Sequence, residues 1–267
     1  MNITHYNIFR KCFPNIELTF EQLKASLGNA EIISEGEKGF AAVSGNCIRL
    51  ICVSPEYQRL GIGRKLLFDC ERVISEDGHS EAVLGGFDSV LFIGATEESA
   101  GFFEKRGYTF DDGCAEMTLD LADFDICRLD IPIYPEGVSF GFYSWDKENL
   151  YAAVRSVDEE WEQYFRNDEP VFCAFENGVP VGFIIVDYDA LCILGGEGQK
   201  VGSIGCVGTV PAARRRGIGL AMAAHACTEL KKSGCTRLFV HYTHLEKWYA
   251  KIGCRTFMRY RFGRKII

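Results

Sequence analysis

The residues with the most chemistry to offer fall in two copies of one pattern. Gln58, Arg59, Leu60, Gly61, Ile62 and Gly63 form the first copy; Arg214, Arg215, Arg216, Gly217, Ile218 and Gly219 form the second. Each follows an apolar run and a proline, Ile51 to Val53 with Pro55 and Val207 to Val210 with Pro211. Each also opens an amphipathic stretch at helical spacing. A helix start leaves backbone N–H groups unpaired and pointing outward, and with the helix dipole they make an anion site. Glycine lets the main chain come close to the anion, and the leading Gln or Arg adds a donor or a charge. The chemistry this predicts is capture of a phosphate-bearing ligand, twice.

A second pair of sites follows a few dozen residues later. Phe102 and Phe103 precede Gly107, and Trp248 and Tyr249 precede Gly253. A phenol titrates near ~10 and can give a proton to a leaving thiolate. Tyr249 is such a group; Phe103, at the matching place, is not.

The elements that must hold these residues read as mixed α/β. In the first half a capped helix is expected over 19–27, where Thr19 and Gln22 have the spacing of a capping box, after an irregular opening. Strands are expected near 30–35, 38–44 and 46–53, a helix over 58–76, a short strand at 82–84, a helix over 97–106 and a closing strand at 115–119. The second half repeats the order: a strand at 138–143, helices near 147–154 and 158–165, and a hairpin of 171–176 and 179–187 about Asn177 and Gly178. A central strand at 200–210, a helix over 215–233 ended by Gly234, a strand at 237–242, a helix over 245–252 and a last strand at 256–262 complete it. Hairpin-connected strands ahead of the first glycine loop exclude a Rossmann chain. The expected organisation is an N-terminal domain over 1–125, a linker over 126–135 broken by Pro132 and Pro135, and a C-terminal domain over 136–267. From Gly61 to Gly107 is 46 residues, but from Gly217 to Gly253 only 36, so an insertion is expected around 85–94.

With these motifs in this order, the sequence resembles the GNAT superfamily of N-acetyltransferases, in a tandem two-domain form. Its acetyl-CoA loop reads Gln/Arg-x-x-Gly-x-Gly/Ala, as at 58–63 and 214–219. Its second motif, an apolar residue, Tyr, spacers and Gly, is similar to 248–254. The resemblance implies two tandem GNAT-like domains, each a mixed, mostly antiparallel sheet flanked by helices. It implies acetyl-CoA as co-substrate, held by Val207, Thr209, Val210, Arg214, Arg215, Arg216, Gly217, Ile218, Gly219 and Leu220 in the second domain. In the first domain the matching positions are Ile51, Val53, Gln58, Arg59, Leu60, Gly61, Ile62 and Gly63. It also implies pantetheine laid along the central strand and direct attack by a primary amine, with Tyr249 as general acid. Gly208 suits close approach of the cofactor, or a bulge. The sequence departs from the family pattern at Cys254, Tyr242 and Phe103, and the last departure speaks against catalysis in the first domain.

Composition bounds the rest. The chain has 267 residues and a net charge of −8, which argues against a broad nucleic-acid surface. Twelve cysteines show no Cys-x-x-Cys and no zinc spacing, so free thiols in a reducing, cytoplasmic setting and no metal are expected. No apolar run reaches the length of a membrane span. The general base stays open among His241, His244, Glu197, Asp187, Asp189 and a water chain. The acidic run from Asp158 to Glu162 is either a solvated face or an attractor for a cationic amine. The acceptor is a small-molecule or peptide amine, and the oligomeric state is open. Two other readings remain: a non-catalytic acyl-CoA sensor, and an enzyme whose first domain catalyses through water or Tyr108.

Overall fold

The computed structural model describes residues 1–86, 92–144 and 147–267; half of the expected insertion at 85–94, residues 87–91, therefore lies outside them. The chain forms two compact units. The first comprises Met1–Cys114, Leu191–Gly198 and Met258–Ile267, and the second Ala115–Ala190 and Gln199–Phe257. A single cut through 126–135 does not reproduce this division, because each unit takes segments from the other half of the sequence.

In the first unit the opening segment is helix α1 (Ile3–Cys12), not irregular chain. Asn2 caps it by accepting from His5 N–H, and the Asn2 N–H donates to His5 Nδ1. His5 thus does the work usually given to Glu or Gln, which is why the pattern was not legible. Helix α2 (Phe20–Leu27) begins at the capping box of Thr19 and Gln22, as expected. Strands β1 (Glu31–Ser34), β2 (Gly39–Ser44) and β3 (Cys47–Val53) form an antiparallel meander. Helix α3 (Ile62–Glu76) then crosses to β4 (Glu81–Leu84), which runs parallel to β3. Its apolar stripe of Leu66, Leu67, Cys70 and Ile74 packs with Ala41, Val43, Ile48 and Leu84. Short β5 (Ala95–Thr96), α4 (Ala100–Glu104) and β6 (Thr109–Asp120) follow.

The second unit repeats this plan. It contains β7 (Val138–Phe142), α5 (Glu148–Arg155), a 3-10 helix over Glu159–Arg166, β8 (Val171–Glu176), β9 (Val179–Asp187) and β10 (Val201–Thr209). Helix α6 (Ile218–Lys232), β11 (Arg237–Thr243) and α7 (Glu246–Tyr249) come next, and β12 (Arg255–Ile266) ends the chain. Asn177 and Gly178 both take positive φ, 49° and 79°, as a type I′ hairpin turn requires. Strands β7 to β10 pair antiparallel, while β10 and β11 pair parallel. One core lies between the sheet and α6; another, on the other face, contains Leu150, Val154, Phe165 and Phe183.

The exchanged strands close the sheets. Ala115–Asp120 of β6 pairs antiparallel with β11 in the second unit, and Arg264–Ile266 of β12 pairs antiparallel with β4 in the first. Segment 126–135 is not a free tether either. Ile126, Leu129 and Ile131 pack on the α6 core, and the Ile133 carbonyl lies 2.9 Å from His225 Nε2.

None of the twelve cysteines is in a disulfide. Burial pushes Cys70, Cys173 and Cys254 up to about 12, so they stay protonated and inert at neutral pH. Only Cys127 is exposed, and eight of the twelve are buried. Titration of native protein with an aromatic disulfide should therefore modify Cys127 first, with the eight buried thiols reacting only on unfolding. Rapid release of most thiols from native protein would contradict this packing.

Candidate functional site

In the second unit the glycine loop leaves β10 through a 3-10 turn, Pro211–Ala213, and enters α6 at Gly217. Arg215 and Gly217 are left-handed, with φ of 64° and 78°. The Ala221 N–H is the first in α6 to bond back, to the Gly217 carbonyl at 3.0 Å. The N–H groups of Ile218, Gly219 and Leu220 precede that bond and are directed out of the helix start. A Cβ at Gly219 would stand 3.0 Å from Thr209 Oγ1 and 3.3 Å from the Trp248 ring. The glycine therefore keeps open a cradle that a side chain would crowd. These features suit a phosphate.

The three arginines do not act alike. Arg214 Nε donates to the Thr209 carbonyl at 3.0 Å and braces the loop. Arg216 is turned away, paired with Glu176 at 2.5 Å. Arg216 thus finds its relief from the helix dipole in Glu176 rather than in a bound anion, and Arg215 is left as the charge without such a tie among the described residues. The sequence alone could not reveal this, since Glu176 is brought near only by the β8–β9 hairpin.

Strands β10 and β11 stay together for three residue pairs, Val201 with Arg237 to Ser203 with Phe239, and then part. Just beyond, Cys206 and Tyr242 are left-handed, with φ of 46° and 49°. Such a conformation costs a side-chain-bearing residue about 1–2 kcal/mol, and Tyr242 adopts it although it is 41% exposed. The register of β10 against β9 slips between Gly205 and Gly208. The bulge expected near Gly208 is therefore present. The space a Gly208 side chain would need is not open, however, but filled by the Phe183 ring, 2.2 Å from a Cβ there.

Tyr249 closes the short helix α7 and is 5% exposed. Its ring meets Trp248 edge-on at 4.8 Å and belongs to the α6-side core with Val240, Cys227 and Cys254. Burial pushes its phenol up, as do the neighbouring Cys254, Cys227 and Cys206 thiols. It therefore keeps its proton at neutral pH.

The base candidates separate. Glu197 lies in the segment Leu191–Gly198 of the first unit, where Gly195 and Gly196 approach Gln22 and Glu17. Asp187 accepts from the Asp189 N–H at the end of β9. His244 stacks edge-on with Tyr242. His241 is paired with Glu116. Glu162, within the acidic run, is spent on Arg155 and Arg166.

The first unit has the same loop. Gln58 Nε2 donates to the Val53 carbonyl at 3.1 Å, Arg59 and Gly61 take φ of 62° and 88°, and Lys65 N–H makes the first return bond of α3 to Gly61. An open cleft of about 1070 Å³ runs beside it, lined by Ile51, Val53, Gln58, Gly61, Phe102 and Arg106 among others. Phe103 also lines it, in the place of Tyr249. Tyr108 does not: it is 4% exposed and packed against Phe103 in the α3 core. Among the described residues no group of three or more His, Cys, Asp or Glu side chains could hold a metal, and no helix is long and apolar enough to cross a membrane.

Comparison with known proteins also finds two domains. The acetyltransferase (GNAT) family profile matches residues 133–254, and an acetyltransferase (GNAT) domain profile matches 25–110. Among solved structures, a glucosamine N-acetyltransferase region related to GCN5, in a fungal multi-domain GH3 β-N-acetylglucosaminidase, is 24% identical at a TM-score of 0.71. That match takes in 98% of this chain and 36% of that one, so the chain spans about a third of the fungal protein. A GCN5-related N-acetyltransferase from Sphaerobacter thermophilus is 16% identical at a TM-score of 0.68, over 98% and 91% of the two chains. A tandem GNAT protein from the clavulanic acid biosynthesis pathway is 14% identical at 0.64, over 98% and 93%. At these identities the likeness is one of fold. No curated protein sequence matches the chain.

Proposed function

We propose, for a chain that belongs to the GNAT acetyltransferase family as two such domains in tandem, that the second domain moves an acetyl group from acetyl-CoA to a primary amine. The first domain holds a CoA molecule without catalysing. One observation carries the assignment of halves: a buried phenol, Tyr249, packed in one core with Val240 of β11 and near Cys206 of β10, at the motif position that Phe103 holds in the first domain.

Acetyl-CoA supplies an activated acyl group, and the protein's part is to hold, orient and move protons. In the second domain the N–H groups of Ile218, Gly219 and Leu220, with Arg215, hold the pyrophosphate. The backbone of Val207, Thr209 and Val210 aligns the pantetheine, and Tyr249 gives its proton to the departing sulfur. Fixing the amine beside the carbonyl provides much of the rate. In the first domain the cleft beside Ile51, Val53 and Gln58 to Gly63 offers room for the nucleotide part of a second CoA. Twelve free thiols and the charge of −8 favour a cytoplasmic enzyme working on a small-molecule or peptide amine. The fungal neighbour makes glucosamine one acceptor to try, beside short peptides.

Calorimetric titration of acetyl-CoA tests this. Wild type should bind two equivalents. Gly217→Glu places a side chain on a left-handed residue whose Cβ would lie 2.6 Å from Pro132; it should keep one equivalent and lose turnover. Gly61→Glu should also keep one equivalent, with turnover intact. Turnover that survives Gly217→Glu and disappears with Gly61→Glu would reverse the halves. Two binding sites without turnover on any amine would instead make the protein an acyl-CoA sensor.

A further inference from the structure

Glu116 is a carboxylate in β6 that is 1% exposed. Burying an ionised carboxylate is costly unless it is paired. Among the described residues its partner is His241, whose Nδ1 lies 2.9 Å from Oε1 and 3.1 Å from Oε2. An ionised carboxylate only accepts, so Nδ1 carries the hydrogen and Nε2 keeps its lone pair. The imidazole side chain is 42% exposed, and Nε2 has no partner among the described residues. The pair thus aims a bare nitrogen outward from a buried anchor.

Its place on the sheet gives the nitrogen a task. Along β11, Leu238 and Val240 enter the core shared with α6 and Tyr249. Phe239 and His241 alternate to the other face, their rings 5.8 Å apart. Phe239 is the last β11 residue paired with β10, so His241 stands where the strands part. Tyr249 packs on the α6 side of β11 and His241 lies on the other side.

We propose that His241 takes the proton from the incoming ammonium in the second domain, and that Glu116 is its positioning residue. This rests on the acetyl-transfer reading above. One ammonium proton passes to Nε2 and on to solvent. The freed nitrogen forms the C–N bond as the C–S bond breaks. The proton the nitrogen then sheds balances the one Tyr249 gives the sulfur.

Two measurements test it. In ligand-free protein, long-range proton–nitrogen correlation of the His241 ring should show hydrogen on Nδ1 and none on Nε2 in its neutral form; the opposite tautomer overturns the assignment. Thiol release from acetyl-CoA is then followed with two probe amines, ethanolamine, nearly all protonated at neutral pH, and hydroxylamine, largely unprotonated. His241→Gln should lower kcat for ethanolamine about 100-fold and leave hydroxylamine and the KM for acetyl-CoA near wild type. Glu116→Gln should lower kcat for ethanolamine about tenfold, with partial rescue in Glu116→Asp. Equal losses on both amines, or none, overturn the base while leaving the acetyltransferase standing. Failure of wild type on both amines and also on glucosamine and short peptides overturns the acetyl-transfer reading and this inference with it.

Discussion

Tyr249→Phe is expected to lower kcat for acetyl transfer about 100-fold while leaving acetyl-CoA affinity near wild type, the loss typical of one positioned proton donor. The change removes a single oxygen. The ring keeps its edge-on contact with Trp248 and its place beside Val240 and Cys254, so no cavity of note opens. The hydroxyl has no hydrogen-bond partner among the described residues, so its removal strands no buried group and stability should hold. Burial lifts the phenol, first among its causes, with the nearby thiols adding to it. The sign matters: a raised value keeps the phenol in its protonated form across the neutral range, so the donor carries its proton when the thiolate departs. Steady-state thiol release and calorimetry on the same preparation separate turnover from binding. A fully active Tyr249→Phe enzyme would remove the phenol from the mechanism.

Much of this was legible because the signals are local. The glycine loops, the capping box of Thr19 and Gln22, and the Asn177–Gly178 turn each depend on residues within a few positions, and each appears at its expected place. Helix α1 is not legible in the sequence because His5 stands in for the usual Glu or Gln at the third helical position of its cap. What local patterns cannot carry is pairing over distance. Glu116 and His241 are 125 residues apart in sequence, on strands whose pairing depends on β6 joining the second unit's sheet. Any reading that closes the first domain at residue 125 places Glu116 in the wrong unit and leaves His241 among several candidates. Arg216 shows the same limit, since the cluster of three arginines looks uniform until the β8 residue Glu176 claims one of them. Glu197 is another such case, near β10 in sequence but in a segment of the first unit.

Gly208→Ala should cost about 3 kcal/mol, at the upper end for overpacking a core, and lower the melting temperature by roughly 10 °C for a unit of this size. The reason is a ring, not a turn. Gly208 faces Phe183 across the β9–β10 ladder, and an added methyl would come within 2.2–2.3 Å of two of its ring carbons. Phe183 cannot easily yield, being fully buried and held edge-on by Phe165 at 5.2 Å. Relief must then come from β10, the strand whose backbone after the Cys206 bulge is proposed to align the pantetheine, so acetyl-CoA affinity should fall together with stability. A smaller side chain at 183 should uncouple them. Phe183→Leu alone loses packing, but in combination with Gly208→Ala it makes room for the methyl, so the double variant should be more stable than the sum of the two losses predicts. Strict additivity would mean the ring and the glycine do not constrain each other. A Gly208→Ala protein that melts like wild type yet binds acetyl-CoA poorly would place the glycine's purpose on the side facing the parting of β10 and β11 instead.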